Sequence, residues 1–163
     1  MIRDAVEGDS DSIAHIYNFY IENTAISFEE KPVSGSVIQT RVESVQGLGL
    51  PWLVAVEDDA VVGYAYATKW KERSAYRFSV EVSVYLSNQV RGRGLGAKLY
   101  DAIFSKLKEN GIHAVIGGIT LPNPASVALH EKMGMKKVAH FEKVGFKFDQ
   151  WHDVGYWQLN LDA

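Results

Sequence analysis

A short loop that combines arginines with closely spaced glycines is the first stretch of the sequence with chemistry to offer. It runs from Gln89 to Gly96 and contains Arg91, Arg93 and three glycines in a G-x-G-x-G pattern. Glycines let the main chain pass close to a ligand, and consecutive free N–H groups form a nest for an anion. A helix that begins here would add its unpaired N-terminal amides and the positive end of its dipole. The pattern therefore predicts a phosphate-binding site.

Three interpretations of this loop compete. A Walker P-loop requires Lys followed by Ser or Thr after its last glycine, whereas this loop continues with Ala97, Lys98 and Leu99, so that alternative is rejected. A dinucleotide fingerprint requires G-x-G-x-x-G after a buried strand, and neither the spacing nor the half-polar strand here fits. The remaining alternative is a turn whose glycines only let a strand and a helix pack closely.

The elements on either side of the loop follow from the sequence pattern. From Ser79 to Leu86 polar and apolar residues alternate, which predicts a strand with Glu81 on its polar face and the valines on the other. After the loop, an apolar stripe at helical spacing predicts a core-facing helix. The stripe consists of Leu95, Leu99, Ala102, Ile103 and Leu107.

Two motifs resemble one enzyme superfamily. The run Gln89-x-x-Gly92-x-Gly94 resembles the pyrophosphate-binding signature of the GCN5-related N-acetyltransferases (GNAT), which hold coenzyme A over such a strand, loop and helix. The stretch from Asn123 to Met135 resembles their second cofactor motif, an Asn that opens a short helix ending in Gly and a large apolar residue. Two motifs in this order are far more specific than either one alone.

The resemblance extends over nearly the whole chain to the phosphinothricin and methionine sulfone/methionine sulfoximine N-acetyltransferases. It is carried by Tyr17-Asn18, Thr24 to Phe28, Glu81 to Tyr85, Leu129 to Glu131 and Gly145 to Val154. It implies an α/β fold with a mixed, mostly antiparallel twisted sheet flanked by helices, as a single domain over residues 1–163. It also implies acetyl-CoA as cosubstrate, a small amino acid as acceptor of the acetyl group, and a homodimer.

The reaction implied by the resemblance needs a base and an acid. A free α-amine has a reference pKa of about 8 and holds its proton near neutral pH, and the departing thiolate needs a proton. Glu81 is the candidate base, because the subfamily carries a Glu at the matching position. His130 is the second catalytic candidate, because many superfamily members place there a Tyr that protonates the thiolate. The alternatives are a Glu81 that is paired with a cation such as Arg77 or exposed at a sheet face, and a His130 that only packs against the sheet.

The predicted binding residues follow the motifs. Backbone groups of the central strand should pair with the pantetheine arm, and the loop amides should bind the pyrophosphate. The predicted cofactor-binding residues are Val84, Tyr85, Leu86, Gly92, Arg93, Gly94, Leu95, Gly96, Ala97, Asn123 and Lys132.

Acceptor binding calls for a cation, because a small amino acid presents a carboxylate and a guanidinium is its best partner. Arg77, with its neighbours Tyr76 and Phe78, is predicted to bind the acceptor, and a surface arginine is the alternative. Phe28 lies in a loop before Pro32 and is predicted to wall the acceptor pocket, unless it is a plain core aromatic.

Two other functions stay open. The acceptor could be a peptide, a polyamine or an antibiotic amine, although the aromatic loop around Phe28 disfavours the open groove that a peptide needs. The chain could also be a non-catalytic sensor of acyl-CoA, which the presence of both Glu81 and His130 disfavours.

Composition excludes several classes of partner. The chain has 163 residues, of which 47% are hydrophobic, enough for one core, and it contains no cysteine. No metal site is expected, because the histidines lack ligand spacing. A net charge of −3 without a basic block argues against nucleic acid and membrane partners. No signal-peptide pattern opens the chain, so a cytoplasmic location is expected.

The other elements are predicted from periodicity. They are a strand over 2–5, a helix capped by Asp9 and Ser10, a helix from Pro32 to about Gln46, a hairpin around Asp58-Asp59, and an apolar strand from His113 to Ile119 parallel to the central one. Closing strands are expected over 136–141, 142–149 and 155–161. Trp151, His152 and Asp153 would then form a turn, or reach the acceptor site or a partner subunit. The aromatic tail, with Trp151, Tyr156 and Trp157, supports the homodimer.

Overall fold

The protein is described by a computed structural model that covers residues 1–90 and 92–162. The loop from Gln89 to Gly96 is here called the phosphate loop. Its Arg91, predicted to add charge, lies outside the described residues. The helices are α1 Ser10–Asn23, α2 Gly35–Gly47, α3 Leu95–Glu109 and α4 Pro124–Lys132. The strands are β1 Ile2–Asp4, β2 Trp52–Glu57, β3 Ala60–Lys69, β4 Ser79–Leu86, β5 Ala114–Leu121, β6 Lys136–Lys147 and β7 Gln150–Asn160.

The strands form one sheet in the order β1-β2-β3-β4-β5-β7-β6. β4 and β5 are parallel, and the other neighbouring strands are antiparallel. The predicted mixed, mostly antiparallel sheet is confirmed, as is the apolar strand parallel to the central one. No helix in the described parts of the chain is long and apolar enough to cross a membrane.

Helices cover both faces of the sheet, because alternation along each strand gives it two sides. Val80 and Val82 of β4 pack with Leu99, Ile103 and Leu107 of α3 in one core cluster. On the opposite face α1 and α2 bury their apolar residues against β2 and β3. The predicted stripe of α3 is thus confirmed as its core-facing side.

The helix starts follow capping chemistry only in part. The side chain of Ser34 accepts a hydrogen bond from Val37 N at 3.2 Å and caps α2. Asp9 occupies the N-cap position of α1 as predicted, but its carboxylate makes no capping hydrogen bond to the helix. It instead accepts from Val6 N at 2.8 Å and pairs with Arg3. Hydrogen bonding from Arg3 lowers the pKa of Asp9.

The parallel ladder between β4 and β5 is short. It consists of three pairs, Ser79 with Ala114, Val80 with Val115 and Glu81 with Ile116. β4 continues to Leu86 beside β3, and β5 continues to Leu121 beside β7. Beyond Glu81 the two central strands therefore separate and leave a slit, the β4–β5 slit, which opens toward the phosphate loop.

The tail of the chain forms a long hairpin of β6 and β7, not the three closing strands predicted from the sequence. Trp151, His152 and Asp153 lie within β7, and the turn is at Phe148 and Asp149, which have φ angles of 53° and 57°. The alternation was misleading because β6 shifts register between Phe141 and Gly145. A bulge of this kind interrupts the two-residue period of a strand.

Candidate active site

A pocket of about 810 Å³ opens where α1, the loop after it, the central strands and the β6–β7 hairpin meet. One helix (α1), the loop after it and five strands (β3 to β7) contribute to this central pocket, so its shape depends on the whole fold. It is lined by Tyr17, Ile26, Ser27, Phe28, Glu29, Tyr66, Glu81, Ser83, Tyr85, Gly118, Thr120, Phe141, Val144, Val154 and Tyr156.

Glu81 lies half-buried in the wall of the central pocket, at the point where the β4–β5 ladder ends. Burial raises the pKa of its carboxyl group, and the charge of Lys71 partly opposes this effect. A carboxylate with a raised pKa is a stronger proton acceptor than an exposed one, and is the kind of group that general-base catalysis uses.

The β4–β5 slit holds a smaller cavity of about 60 Å³ that shares residues with the central pocket. Five residues line both, namely Ile26, Ser83, Tyr85, Gly118 and Thr120. The slit is further lined by Val82, Val84, Tyr100, Ile119, Asn123, Ser126 and His130. Predicted catalytic residues thus lie on both sides of one junction, with Glu81 in the pocket and His130 in the slit.

His130 is buried and held in one tautomer. Its Nδ1 lies 2.7 Å from the carbonyl oxygen of Ser126, which only accepts, so Nδ1 carries the proton. Its Nε2 lies 2.7 Å from the Tyr100 hydroxyl and therefore accepts a hydrogen bond from it. Burial lowers the pKa of His130 and raises that of Tyr100. Both groups are thus neutral at pH 7, and the hydroxyl supplies the proton between them.

Gly117 makes this arrangement possible. A Cβ atom at this position would lie 2.8 Å from His130 Nε2, closer than side-chain atoms pack. β5 therefore needs a glycine where the imidazole crosses it.

The main chain of β4 faces the slit at alternate residues. Trp70 N–H donates to Ser79 O and Ser87 N–H donates to Val62 O, at the two ends of the β3–β4 ladder. Because bonding pairs alternate in an antiparallel ladder, the odd residues of β4 bond to β3 and the even residues face β5. The backbone of Val84 therefore faces the slit, and its predicted pairing with the pantetheine arm stays a prediction. The backbone of Leu86 faces the slit too, with its carbonyl oxygen accepting a hydrogen bond from the Tyr20 hydroxyl.

The phosphate loop has the conformation that its glycines predict. Gly92 and Gly94 have φ angles of 75° and 72°, and a Cβ at either position would meet nothing within 4 Å. Lys98 N–H donates to Gly94 O, which is the first bond of α3, so the helical amides before it have no helical acceptor. Leu95, Gly96 and Ala97 carry those amides. Open space beside unpaired amides is what a phosphate group requires.

Three predicted cofactor residues differ in their surroundings. Arg93 is exposed and pairs with Glu57 at 2.7 Å. Asn123 lines the slit and caps α4, with its side chain accepting from Ser126 N at 3.2 Å. Lys132 is exposed at the end of α4. Cofactor contacts by Arg93 and Lys132 stay predictions.

Of the four residues predicted to bind the acceptor, one lines the central pocket and three do not. Phe28 lines the central pocket. Tyr76, Arg77 and Phe78 are exposed and lie outside its lining. The Arg77 guanidinium donates to Ser74 O at 3.0 Å and lies 4.4 Å from the Phe78 ring, so it is not paired with Glu81.

Sequence reasoning missed Tyr100, Tyr17 and Glu29. Tyr100 lies in α3 among core positions, and only the contact with His130 distinguishes it from a packing aromatic. Tyr17 and Glu29 line the central pocket and are hydrogen-bonded to each other. Burial raises the pKa of Tyr17, and the Arg41 guanidinium lowers that of Glu29.

The site joins three features: helix amides that can hold a phosphate, a slit beside the central strand, and a pocket that contains a half-buried carboxylate. The sequence matches the Acetyltransferase (GNAT) domain over residues 2–155. The chain belongs to this family of acetyltransferases.

The chain is similar to named acetyltransferases over nearly its full length. The chain is 37% identical over 161 residues to the phosphinothricin N-acetyltransferase of Streptomyces viridochromogenes, covering 99% of this chain and 87% of that one. It is 35% identical to the L-methionine sulfoximine/L-methionine sulfone acetyltransferase of Salmonella typhimurium, covering 99% and 94%. The crystal structure of a phosphinothricin acetyltransferase from Sinorhizobium meliloti in complex with acetyl-CoA superposes with a TM-score of 0.95. That structure is 36% identical, covering 98% of this chain and 87% of the other.

Proposed function

We propose that this enzyme transfers the acetyl group of acetyl-CoA to the α-amine of a small amino acid of the phosphinothricin, methionine sulfoximine or methionine sulfone type. The observation that carries the proposal is the half-buried Glu81 at the junction of the central pocket and the β4–β5 slit. Names of full-length relatives support the substrate class.

The residues present fit acetyl-CoA. The unpaired amides at the start of α3 would hold the pyrophosphate, and the backbone of Val84 and the N–H of Leu86 would pair with the pantetheine arm. The bound donor supplies an acetyl group activated as a thioester. Its acetyl end would lie where slit and pocket meet.

Glu81 is the base in this proposal. Its carboxylate would take a proton from the acceptor ammonium, directly or through water, which leaves a neutral amine. The amine nitrogen would then bond to the thioester carbon, the C–S bond would break, and the departing thiolate would take up the proton that the new amide nitrogen loses. Because burial raises its pKa, Glu81 is well matched to this proton transfer.

The Tyr100 hydroxyl lines the slit and, because its pKa is raised, keeps its single proton. That proton is donated to His130 Nε2, so the hydroxyl can donate to the oxygen that gains charge during the transfer only by turning away from His130. His130 orients this hydroxyl through its proton-free Nε2. A direct proton transfer from His130 to the thiolate stays a prediction, and would require protonation of Nε2 first.

The size and lining of the central pocket favour a small acceptor. Phe28, Phe141, Val144 and Tyr156 give it apolar walls, which suit the side chain of a methionine analogue. Lys71, whose charge acts on Glu81, is a second candidate beside Arg77 for the acceptor carboxylate.

We also propose a homodimer. Trp157 is buried, so the tail aromatics support it only in part, but large apolar side chains on the β6–β7 hairpin are about half exposed. They are Val138 (57%), Phe146 (51%), Phe148 (56%) and Trp151 (61%). Exposed apolar patches of this kind mark interfaces. We propose a cytoplasmic location, because acetyl-CoA is made and used there.

A substrate panel tests the proposal. Thiol release from acetyl-CoA is measured with methionine sulfone, methionine sulfoximine, phosphinothricin, a peptide amine and spermidine. Turnover confined to the first three is expected. Faster turnover of the peptide or spermidine would mean that the acceptor is a peptide or a polyamine. Binding of acetyl-CoA without turnover of any amine would favour a non-catalytic sensor.

A further inference from the structure

The acceptor side of the central pocket is closed by the segment 24–33 between α1 and α2, here called the pocket loop. Ile26, Ser27, Phe28 and Glu29 of this loop line the pocket. Residues from α1 and α2 hold one part of it: Tyr17 is hydrogen-bonded to Ser27 Oγ at 2.8 Å, and Arg41 forms a two-pronged pair with Glu29 at 2.8 and 2.9 Å.

The other part of the loop is held by Lys147, at the end of β6. This lysine is only 2% exposed, and its Nζ donates to the carbonyl oxygen of Ser27 at 2.6 Å. Burial of an ammonium group is costly unless it is paired and hydrogen-bonded. The charges of Glu29 and Glu30 act on Lys147 and offset part of this cost. A buried lysine in this position is therefore a specific feature of the site.

Gly145, which lies two residues before Lys147 in β6, leaves room for the Phe28 ring. A Cβ atom at Gly145 would lie 2.2 Å from Phe28 Cζ, so only glycine leaves room for the ring. The His152 ring lies 6.1 Å from Phe28, and its Nε2 donates to Lys147 O at 3.1 Å. Gly145, Lys147 and His152 thus form one support beneath the pocket loop.

The bulge in β6 places Gly145 and Lys147 on the buried face of the strand. Lys143 has a φ of 52°, and its N–H donates to Asp153 Oδ1 at 2.9 Å. Asp153 Oδ2 accepts from His140 Nε2 at 2.8 Å. After the bulge, Gly145 and Lys147 are buried on one face while Phe146 and Phe148 are exposed on the other.

We propose that Lys147 is a positioning residue for the acceptor: by anchoring Ser27 it seats Phe28 over Gly145 and so sets the affinity for the amino-acid substrate. The inference rests on the proposed function. It assigns acceptor selectivity to the end of β6, which touches neither the phosphate loop nor Glu81.

The first test is Lys147→Met, which keeps the apolar stem and removes the donor. The KM for the acceptor should rise about tenfold, the scale of one lost charged hydrogen bond, while the KM for acetyl-CoA and kcat at saturating acceptor change less than about twofold. Lys136→Met, an exposed lysine on the same strand, is the matched control and should change none of these. An equal rise in both KM values, or a loss confined to kcat, would overturn the proposal.

The second test is a double-mutant cycle. Gly145→Ala should raise the acceptor KM in the wild type, but should add nothing in a Phe28→Ala background, because it acts through the displaced ring. Gly47→Ala, where a Cβ meets nothing within 4 Å, is the control. Additive effects of Gly145→Ala and Phe28→Ala would contradict the seating of Phe28.

A third measurement separates this inference from the proposed function. Hydrogen exchange of residues 26–30 should be faster in Lys147→Met than in the wild type, with β2 and β3 unchanged. Faster exchange can be measured even if the enzyme acetylates no amino acid. In that case the proposed function fails, but the anchoring of the pocket loop by Lys147 is still supported. Unchanged exchange of the pocket loop would refute the role of Lys147.

Discussion

At the scale of single residues, the site combines groups whose environment changes their chemistry. Glu81 has its pKa raised by burial, and His130 has its pKa lowered by the same cause. The first shift makes a carboxylate a better base, and the second keeps an imidazole neutral. Burial thus favours the neutral form of both groups, because it makes the carboxylate easier to protonate and the imidazole harder to protonate.

Glu81→Gln should lower kcat by about 10² to 10⁴, because it removes the proton acceptor but keeps the shape of the side chain. The KM for acetyl-CoA should barely change. Because Glu81 must be ionised to act and its pKa is raised, wild-type activity should fall as pH decreases through that pKa, and this acidic limb should disappear in the variant. A limb that persists would assign the base to another group.

Tyr100→Phe should lower kcat by about 10²-fold, since it removes the donor that can turn from His130 Nε2 to the charge that develops in the transfer. If His130 acts by orienting this hydroxyl, His130→Phe should cost little more in the Tyr100→Phe background than the single change costs. Steady-state kinetics of the four proteins measure this. Fully additive losses would mean that His130 has a separate role in proton transfer.

At the scale of elements, the central strand, loop and helix could be predicted from the sequence, and the terminal hairpin could not. Alternation in β4 and the stripe of α3 are local patterns that the fold preserves. In β6 the bulge between Phe141 and Gly145 disrupts the alternation, and the turn at Phe148 and Asp149 lacks the Asn-Gly signature of tight hairpins. Tyr100 was missed because its contact with His130 joins two helices distant in sequence.

The phosphate loop gives an element-scale prediction with an internal control. Gly94→Ala should raise the KM for acetyl-CoA at least tenfold, because a methyl group enters the space beside the amides of α3. Gly111→Ala places the same strain elsewhere, since Gly111 has a φ of 79° and equally open surroundings. Both variants should lose similar stability by thermal unfolding. An equal effect of the two on KM would show that the loop is only a packing turn.

At the scale of the whole molecule, the sheet order places the hairpin at one edge, next to the acceptor side of the pocket. The parallel pairing of β4 with β5 was predicted from the apolar run of β5. The homodimer was predicted from the resemblance and from aromatic residues, one of which, Trp157, proves to be a core residue.

The proposed homodimer is tested by replacing two exposed aromatic side chains of the β6–β7 hairpin. Trp151→Lys and Phe146→Lys together should convert a dimer at micromolar concentration into a monomer, as measured by sedimentation, because they place charges on a buried interface. Val37→Lys, on the exposed side of α2, is the control. A wild-type monomer at the same concentration would remove the proposal.

The short ladder between β4 and β5 has a thermodynamic consequence. If the pantetheine arm pairs with the free edge of β4, the donor acts as a substitute strand, and its binding energy becomes folding energy. At a concentration one hundred times Kd this linkage adds about 2.7 kcal/mol, which corresponds to a rise in Tm of roughly 5–10 °C for a chain of this size. The enzyme with acetyl-CoA bound would then resist proteolysis of its unfolded form better than the enzyme without it.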